Sequence, residues 1–218
     1  MRFTDSRIAA AVALTLGVAG GWMHGTAGAS SVPGPQQLVD AMRQRYEALN
    51  DYHCQIIYTE YRNGRSNVEV DSYYFKKPQL IRLEVTEGKD KGAIVVLRRD
   101  GKVRATSGGL LGFFKITMEP DDKRLRDEDG STFAESHFGG VLASIQSILA
   151  GASATATETD GVYRLQADHE NVRELVLIDS RTMFPVEWLR LRAGNPQSKT
   201  QWKGLQVDVG LKESLFEL

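Results

Sequence analysis

Downstream of residue 30 the chain carries three histidines, His53, His137 and His169, and its single cysteine is Cys54. Protein metal sites gather such side chains at recognisable spacings, for example two histidines four residues apart on one helix face. No such spacing occurs here, and one thiol is too little for a structural zinc site, so no metal is expected. His53 and His169 read as polar-face and loop residues, and His137 stands just before a helical pattern. Asp127-Glu128-Asp129-Gly130-Ser131 has the outline of a calcium loop. The closing bidentate Glu of that motif would fall on Phe138, however, and a surface turn fits better.

Nucleophilic catalysis fares no better. Thr106-Ser107-Gly108-Gly109 places its Ser before the glycines, whereas a nucleophile elbow flanks the Ser with them and opens a helix. The same glycines lack the Lys-Ser/Thr ending of a phosphate loop. With no set of acid, base and nucleophile in view, the chain is not expected to be an enzyme, and it implies no cofactor. Tyr52, Tyr58, Tyr61, Tyr73, Tyr74 and Phe75 would suit stacking on bases. Against that, 27 Lys+Arg stand beside 28 Asp+Glu, a net charge of -1, where nucleic-acid binding wants a basic surplus. Core packing or the wall of an apolar ligand site is the better reading of these rings.

The most unusual segment is Gly108-Gly109-Leu110-Leu111-Gly112-Phe113-Phe114. Four large apolar side chains are costly to leave in water, and three glycines make the backbone permissive. Two readings stand: a tight structural turn, or a mobile apolar lip on a binding site.

The elements that would position these residues follow from periodicity. Leu38, Val39, Met42, Tyr46 and Leu49 recur three and four apart, which predicts a helix over 36–49. From Tyr52 the period falls to two, with Cys54, Ile56 and Tyr58 on one side. Asn63-Gly64 is the pair favoured in a tight hairpin. Further strands are expected near 68–75, 79–85, 93–97 and 103–106, with Ile116 and Met118 continuing the alternation. A second helix over 133–150 carries Phe138, Val141, Leu142, Ile145, Ile148 and Leu149 as its stripe, with Gly151 as the residue that ends it. Strands at 162–168, 172–179, 185–192 and 199–209 complete the chain. Helices outside long runs of strands mean α+β: one large curled antiparallel sheet, open as a half-closed β-barrel and capped by two or more helices.

Residues 1–29 belong to no part of that domain. Arg2 and Arg7 precede the uncharged run Ile8 to Met23, and Ala27-Gly28-Ala29 supplies small residues where a signal peptidase cuts. Cleavage after Ala29 is expected, leaving 30–35 as a linker around Pro33 and Pro35, then a single domain over 36–218. The alternative is an uncleaved anchor, against which Gly17, Gly20 and Gly21 weigh as poor residues for a permanent spanning helix. Cys54 lies too far from the cut to be a lipid-modified first residue. A periplasmic protein with at most transient membrane contact is the expectation.

This order of elements resembles the LolA/LolB-like lipoprotein-carrier fold, an open β-barrel capped by helices. Tyr46 to Tyr61, with its Tyr-x-x-Leu-x-Asp-Tyr-x-Cys run, resembles an exported bacterial family of unassigned function with that fold. So do Lys76-Lys77-Pro78, Lys91-Gly92 and the glycine-rich apolar segment, while Leu177-Ile178-Asp179 and Phe184-Pro185-Val186-Glu187-Trp188 are similar to the carrier fold's penultimate hairpin. The resemblance implies an apolar cavity able to take an acyl chain, lipid or lipoprotein; the chain's own apolar pattern offers Tyr58, Tyr74, Leu83, Leu110, Leu111, Phe113, Phe114 and Phe138 as candidates for its wall or lip. An envelope protein bound by the same scaffold is the alternative partner. The leader itself gives a direct check: mass spectrometry of the exported protein is expected to read Ser30-Ser31-Val32 at the mature N-terminus, and a retained Met1 would contradict cleavage.

Overall fold

The computed structural model describes residues 32–108, 115–126 and 131–218. Helix α1 spans Pro35–Ala48 and buries Leu38, Val39 and Met42. Pro35 opens this helix rather than belonging to the linker, because the first helical position needs no N–H donor. The Gln37 side chain accepts a hydrogen bond from the Gly34 N–H at 2.8 Å and closes the helix start.

Strands β1 (Asp51–Arg62) and β2 (Arg65–Lys76) form the long hairpin expected from Asn63-Gly64. Both turn residues have positive φ, 51° and 73°, as a type I′ turn requires. The meander continues through β3 (Leu80–Glu87), β4 (Ile94–Leu97), β5 (Val103–Thr106) and β6 (Lys115–Met118). After two 3₁₀ turns, helix α2 runs Phe138–Gly151. A second meander then follows: β7 (Ser153–Thr159), β8 (Val162–His169), β9 (Val172–Asp179), β10 (Pro185–Arg192) and β11 (Asn195–Val207).

The second helix differs from its sequence expectation. Residues 133–135 form a separate 3₁₀ turn, and Gly151 is the last helical residue, with Ala152 as the cap. Strand β7 carries no sequence signal of its own, because Ser-Ala-Thr-Ala-Thr-Glu-Thr has no large apolar side chain to mark a period.

All strands pair antiparallel in one open sheet, in the order β6-β5-β4-β3-β2-β1-β11-β10-β9-β8-β7. Among the described residues the architecture is therefore α+β, an eleven-stranded sheet that does not close, with two α-helices. Its middle is a seam between the first and last strands, where Tyr52 lies opposite Val207 and Ile56 opposite Trp202. Each strand gives alternate residues to an inner face, where the helices pack. Tyr52, Cys54 and Ile56 of β1, Tyr73 and Phe75 of β2, Leu165 of β8, Val176 of β9 and Trp202 of β11 join Leu38, Met42, Phe138, Leu142 and Ile145 in one core.

The outer face has a smaller cluster. Leu80 and Val96 are covered by Phe216, from a 3₁₀ turn at Glu213–Phe216 that follows β11. Polar contacts hold this strap: the Arg82 Nη1 donates to the Leu215 carbonyl at 3.1 Å, and Arg98 and Arg99 pair with Glu217 and Glu213. The strap turns at Asp51, whose buried carboxylate accepts from the Gly210 and Leu211 N–H groups at 3.2 and 3.0 Å and lies 3.6 Å from Lys76 Nζ. Removing it leaves two backbone donors unpaired. Asp51→Ala is expected to lower stability by about 3 kcal/mol in urea denaturation, and an unchanged midpoint would mean that the strap is not anchored there.

Candidate functional site

The start of α2 fixes one end of the inner face. Phe138 stacks on Tyr52 with ring centroids 4.6 Å apart and on Phe184 at 5.0 Å, and its backbone N–H donates to the Tyr52 hydroxyl at 3.1 Å. The Nδ1 of His137, the residue before the helix, accepts from the Gly139 N–H at 3.0 Å and lies 3.1 Å from the Tyr46 hydroxyl. Burial lowers the His137 pKa, partly opposed by the nearby Glu135 carboxylate, so the neutral ring that can accept is favoured. Glycine is required at the next two positions: a Cβ at Gly139 would lie 2.6 Å from the His137 ring, and one at Gly140 would run into the Glu135 carbonyl. The sequence places His137 correctly before a helix but gives no sign of this cap.

Beyond that packed end, the inner face opens into a cavity of about 350 Å³. This is within the usual range for small-molecule sites. Ile56, Tyr73, Leu83, Val141, Trp188 and Trp202 give it an apolar wall drawn from both halves of the sheet and from α2. Tyr58, Glu69, Asp71, Arg190, Ser198 and Thr200 form a polar band across the same strands, and Ser131, Thr132, Glu135, Ser136 and Ser144 complete the lining.

Most of this polar band is internally satisfied. Glu174 accepts from Arg190 Nε and from the Trp188 indole N–H, each at 2.6 Å. The Glu135 carboxylate accepts from the Thr132 N–H and hydroxyl at 2.7 and 2.8 Å. Tyr73 and Ser136 share a 2.9 Å hydrogen bond between hydroxyls.

Asp71 differs. It is 4% exposed, and its Oδ1 is buried with no hydrogen-bond partner among the described residues. Burial, aided by the negative charge of Glu69, pushes its pKa up to about 7. Glu69 is itself raised, by burial and then by Asp90. The register of β2 against β3 shifts at this point: Val70 faces Glu87 while Asp71 faces Val85, leaving Thr86 as an extra residue whose hydroxyl donates to the Val70 carbonyl at 2.8 Å. Such bulges locally re-aim side chains and are common beside functional sites.

The residues singled out from sequence fall in different places. Tyr58 and Leu83 line the cavity. Phe138 is 1% exposed in the aromatic packing at the closed end, off the cavity wall. Tyr74 belongs to the opposite face, against the Leu80–Val96–Phe216 cluster, because Asp71, Tyr73 and Phe75 take the inner positions of β2. Leu110, Leu111, Phe113 and Phe114 lie outside the described residues, as do the leader and Asp127–Gly130. Sequence reasoning missed Asp71 and the two tryptophans, although alternation from Tyr73 could have put Asp71 on the core face. Cys54 is buried as its alternation implies, and burial pushes its thiol up to about 12. Among the described residues no group of three or more His, Cys, Asp or Glu side chains could hold a metal ion. No helix among them is long and apolar enough to cross a membrane.

The sequence matches no protein-family model and no curated protein sequence. Solved structures do align with it. A DUF1329 family protein from Desulfovibrio piger aligns at TM-score 0.45 and 12% identity, over 84% of this chain and 95% of that one. A LolA superfamily protein from Nitrosomonas europaea aligns at TM-score 0.42 and 7% identity, over 85% and 98%. MucB aligns at TM-score 0.49 and 15% identity, over 83% of this chain but 62% of its own. The structural neighbours thus include DUF1329 and LolA-superfamily proteins.

The raised Asp71 pKa gives a testable sign. In the unfolded chain this carboxyl loses its proton near pH 3.8, in the folded protein near 7. Between those values the folded state holds more protons, so stability contributed by the neutral carboxyl is full below pH 3.8 and falls as pH rises toward 7. Asp71→Asn removes this dependence. The stability of the variant relative to wild type is expected to rise steadily from pH 4 to 7 in parallel urea titrations, and a constant difference would place the Asp71 pKa in the ordinary range.

Proposed function

We propose that this protein is a non-enzymatic binder of apolar chains, such as the acyl chain of a lipid or lipoprotein, and acts in the periplasm after removal of residues 1–29. The observation that carries the reading is the cavity on the inner face, walled by Ile56, Tyr73, Leu83, Val141, Trp188 and Trp202. Each methylene moved from water into such a site contributes about 0.8 kcal/mol. Affinity therefore needs no cofactor and no covalent step. Arg2, Arg7, the Ile8 to Met23 run and Ala27-Gly28-Ala29 support export.

Filling the cavity tests the idea. Thr200 is a half-buried lining residue, and Thr200→Phe places a ring in the space without removing a core side chain. A fluorescent fatty-acyl probe is expected to bind the wild type and to bind Thr200→Phe at least about tenfold more weakly, which corresponds to roughly two methylenes of lost burial. The urea midpoints of the two proteins should agree closely. Equal probe binding by both folded proteins would remove the cavity from the function, and so would a protein purified from its own periplasm without lipid but with a stable protein partner.

A further inference from the structure

The cavity contains a group that an aliphatic tail alone would leave unused. Asp71 lines it, is 4% exposed, and its buried Oδ1 has no hydrogen-bond partner among the described residues. A buried acceptor without a donor costs the fold free energy, and proteins seldom keep one without a ligand, water or ion to satisfy it. Rotation about the broad Cβ–Cγ torsion exchanges the two oxygens, so either can be turned toward a ligand.

Among the described lining residues the acids outnumber the bases, three to one. Glu69 stands two residues along the same strand and also lines the cavity, with no ion pair among the described residues. Glu135 is a third lining acid, occupied in capping its own turn. Arg190, the one basic lining residue among those described, pairs with Glu174 at 2.6 Å. An anionic head group entering the cavity would thus meet two uncompensated carboxyls, and a neutral one would leave their charge unbalanced. A primary ammonium supplies both missing terms: N–H donors for Asp71 and positive charge for the pair.

We propose that the cavity selects a single-chain amphiphile with a primary ammonium head, the tail lying on Trp188, Trp202 and Leu83 and the head on Asp71 beside Glu69. This rests on the cavity being the site for an apolar chain. No bond is made or broken. The ammonium donates hydrogen bonds to Asp71, which gives up its proton to solvent where it was neutral.

Isothermal titration with dodecylamine, dodecyltrimethylammonium, dodecanol and dodecanoate below their micelle concentrations tests it, at pH 7 and low salt. Dodecylamine is expected to bind at least about tenfold more tightly than dodecanol, as a charge-assisted hydrogen bond implies. Dodecyltrimethylammonium, with the charge but no donor, should fall between them, and dodecanoate should bind weakest. Butylamine, with a head but little tail, should bind far more weakly than dodecylamine. Asp71→Asn is expected to abolish the preference, so that the variant binds dodecylamine no more tightly than it binds dodecanol, and Glu69→Gln should reduce the preference in part. Equal binding of dodecylamine and dodecanol by the wild type, a preference that survives Asp71→Asn, or tight binding of butylamine would overturn the selection. If no alkyl compound binds, the apolar-chain reading falls too, whereas dodecanol binding without amine preference sinks only the selection.

Discussion

The hydrogen bond from the Phe138 backbone N–H to the Tyr52 hydroxyl, inside a stack of aromatic rings, is the contact on which the arrangement depends. It ties the first residue of the second helix to the central strand of the sheet. A helix N-terminus has backbone donors that must be satisfied somewhere, and here a buried phenol and the His137 ring take two of them. Packing at the helix start is so tight that Gly139 and Gly140 cannot carry a side chain without displacing their neighbours. Both helices are thereby committed to one end of an eleven-stranded inner face. Beyond that end the cavity lies between the strands and the flank of α2 at Val141 and Ser144.

Polarity along the strands follows the same division. Near the helices the inner positions are Tyr52, Cys54, Phe75, Leu165 and Ile178, all buried. Farther along they become Tyr58 on β1, Asp71 and Glu69 on β2 and Glu174 on β9, with Arg190 on the neighbouring β10. Period-two alternation is kept while the chemistry changes from hydrocarbon to charge. The Glu174–Arg190–Trp188 group shows how a buried charge is made tolerable, by an ion pair and a second donor. Asp71 lacks that support and responds by holding its proton to a higher pH.

Much of this was legible in the sequence. The helical stripe from Leu38 to Leu49, the Asn63-Gly64 hairpin and the alternation from Tyr52 to Tyr58 define the first half of the sheet by local rules. The parts that were not legible depend on distant partners. Strand β7 is recognisable only because β8 pairs with it, since alternating Ala and Thr carry little burial signal. Tyr74 and Tyr73 are adjacent aromatic residues, and which one faces the cavity depends on a register set by the neighbouring strands. The isolation of Asp71 is a statement about the absence of donors in three dimensions, which no spacing of residues expresses.

The seam between β1 and β11 has a kinetic meaning. Every other strand pairing in the sheet joins sequence neighbours, but this one brings together the two ends of the domain. Loop-closure entropy makes such a contact slow to form relative to local hairpins. The cavity straddles it, with Tyr58, Asp71 and Leu83 on one side and Trp188, Thr200 and Trp202 on the other. Each meander can fold on its own side without creating any part of a complete binding surface. The cavity is therefore complete only after the step that joins the two meanders, and a ligand that bridged the seam would slow its reopening.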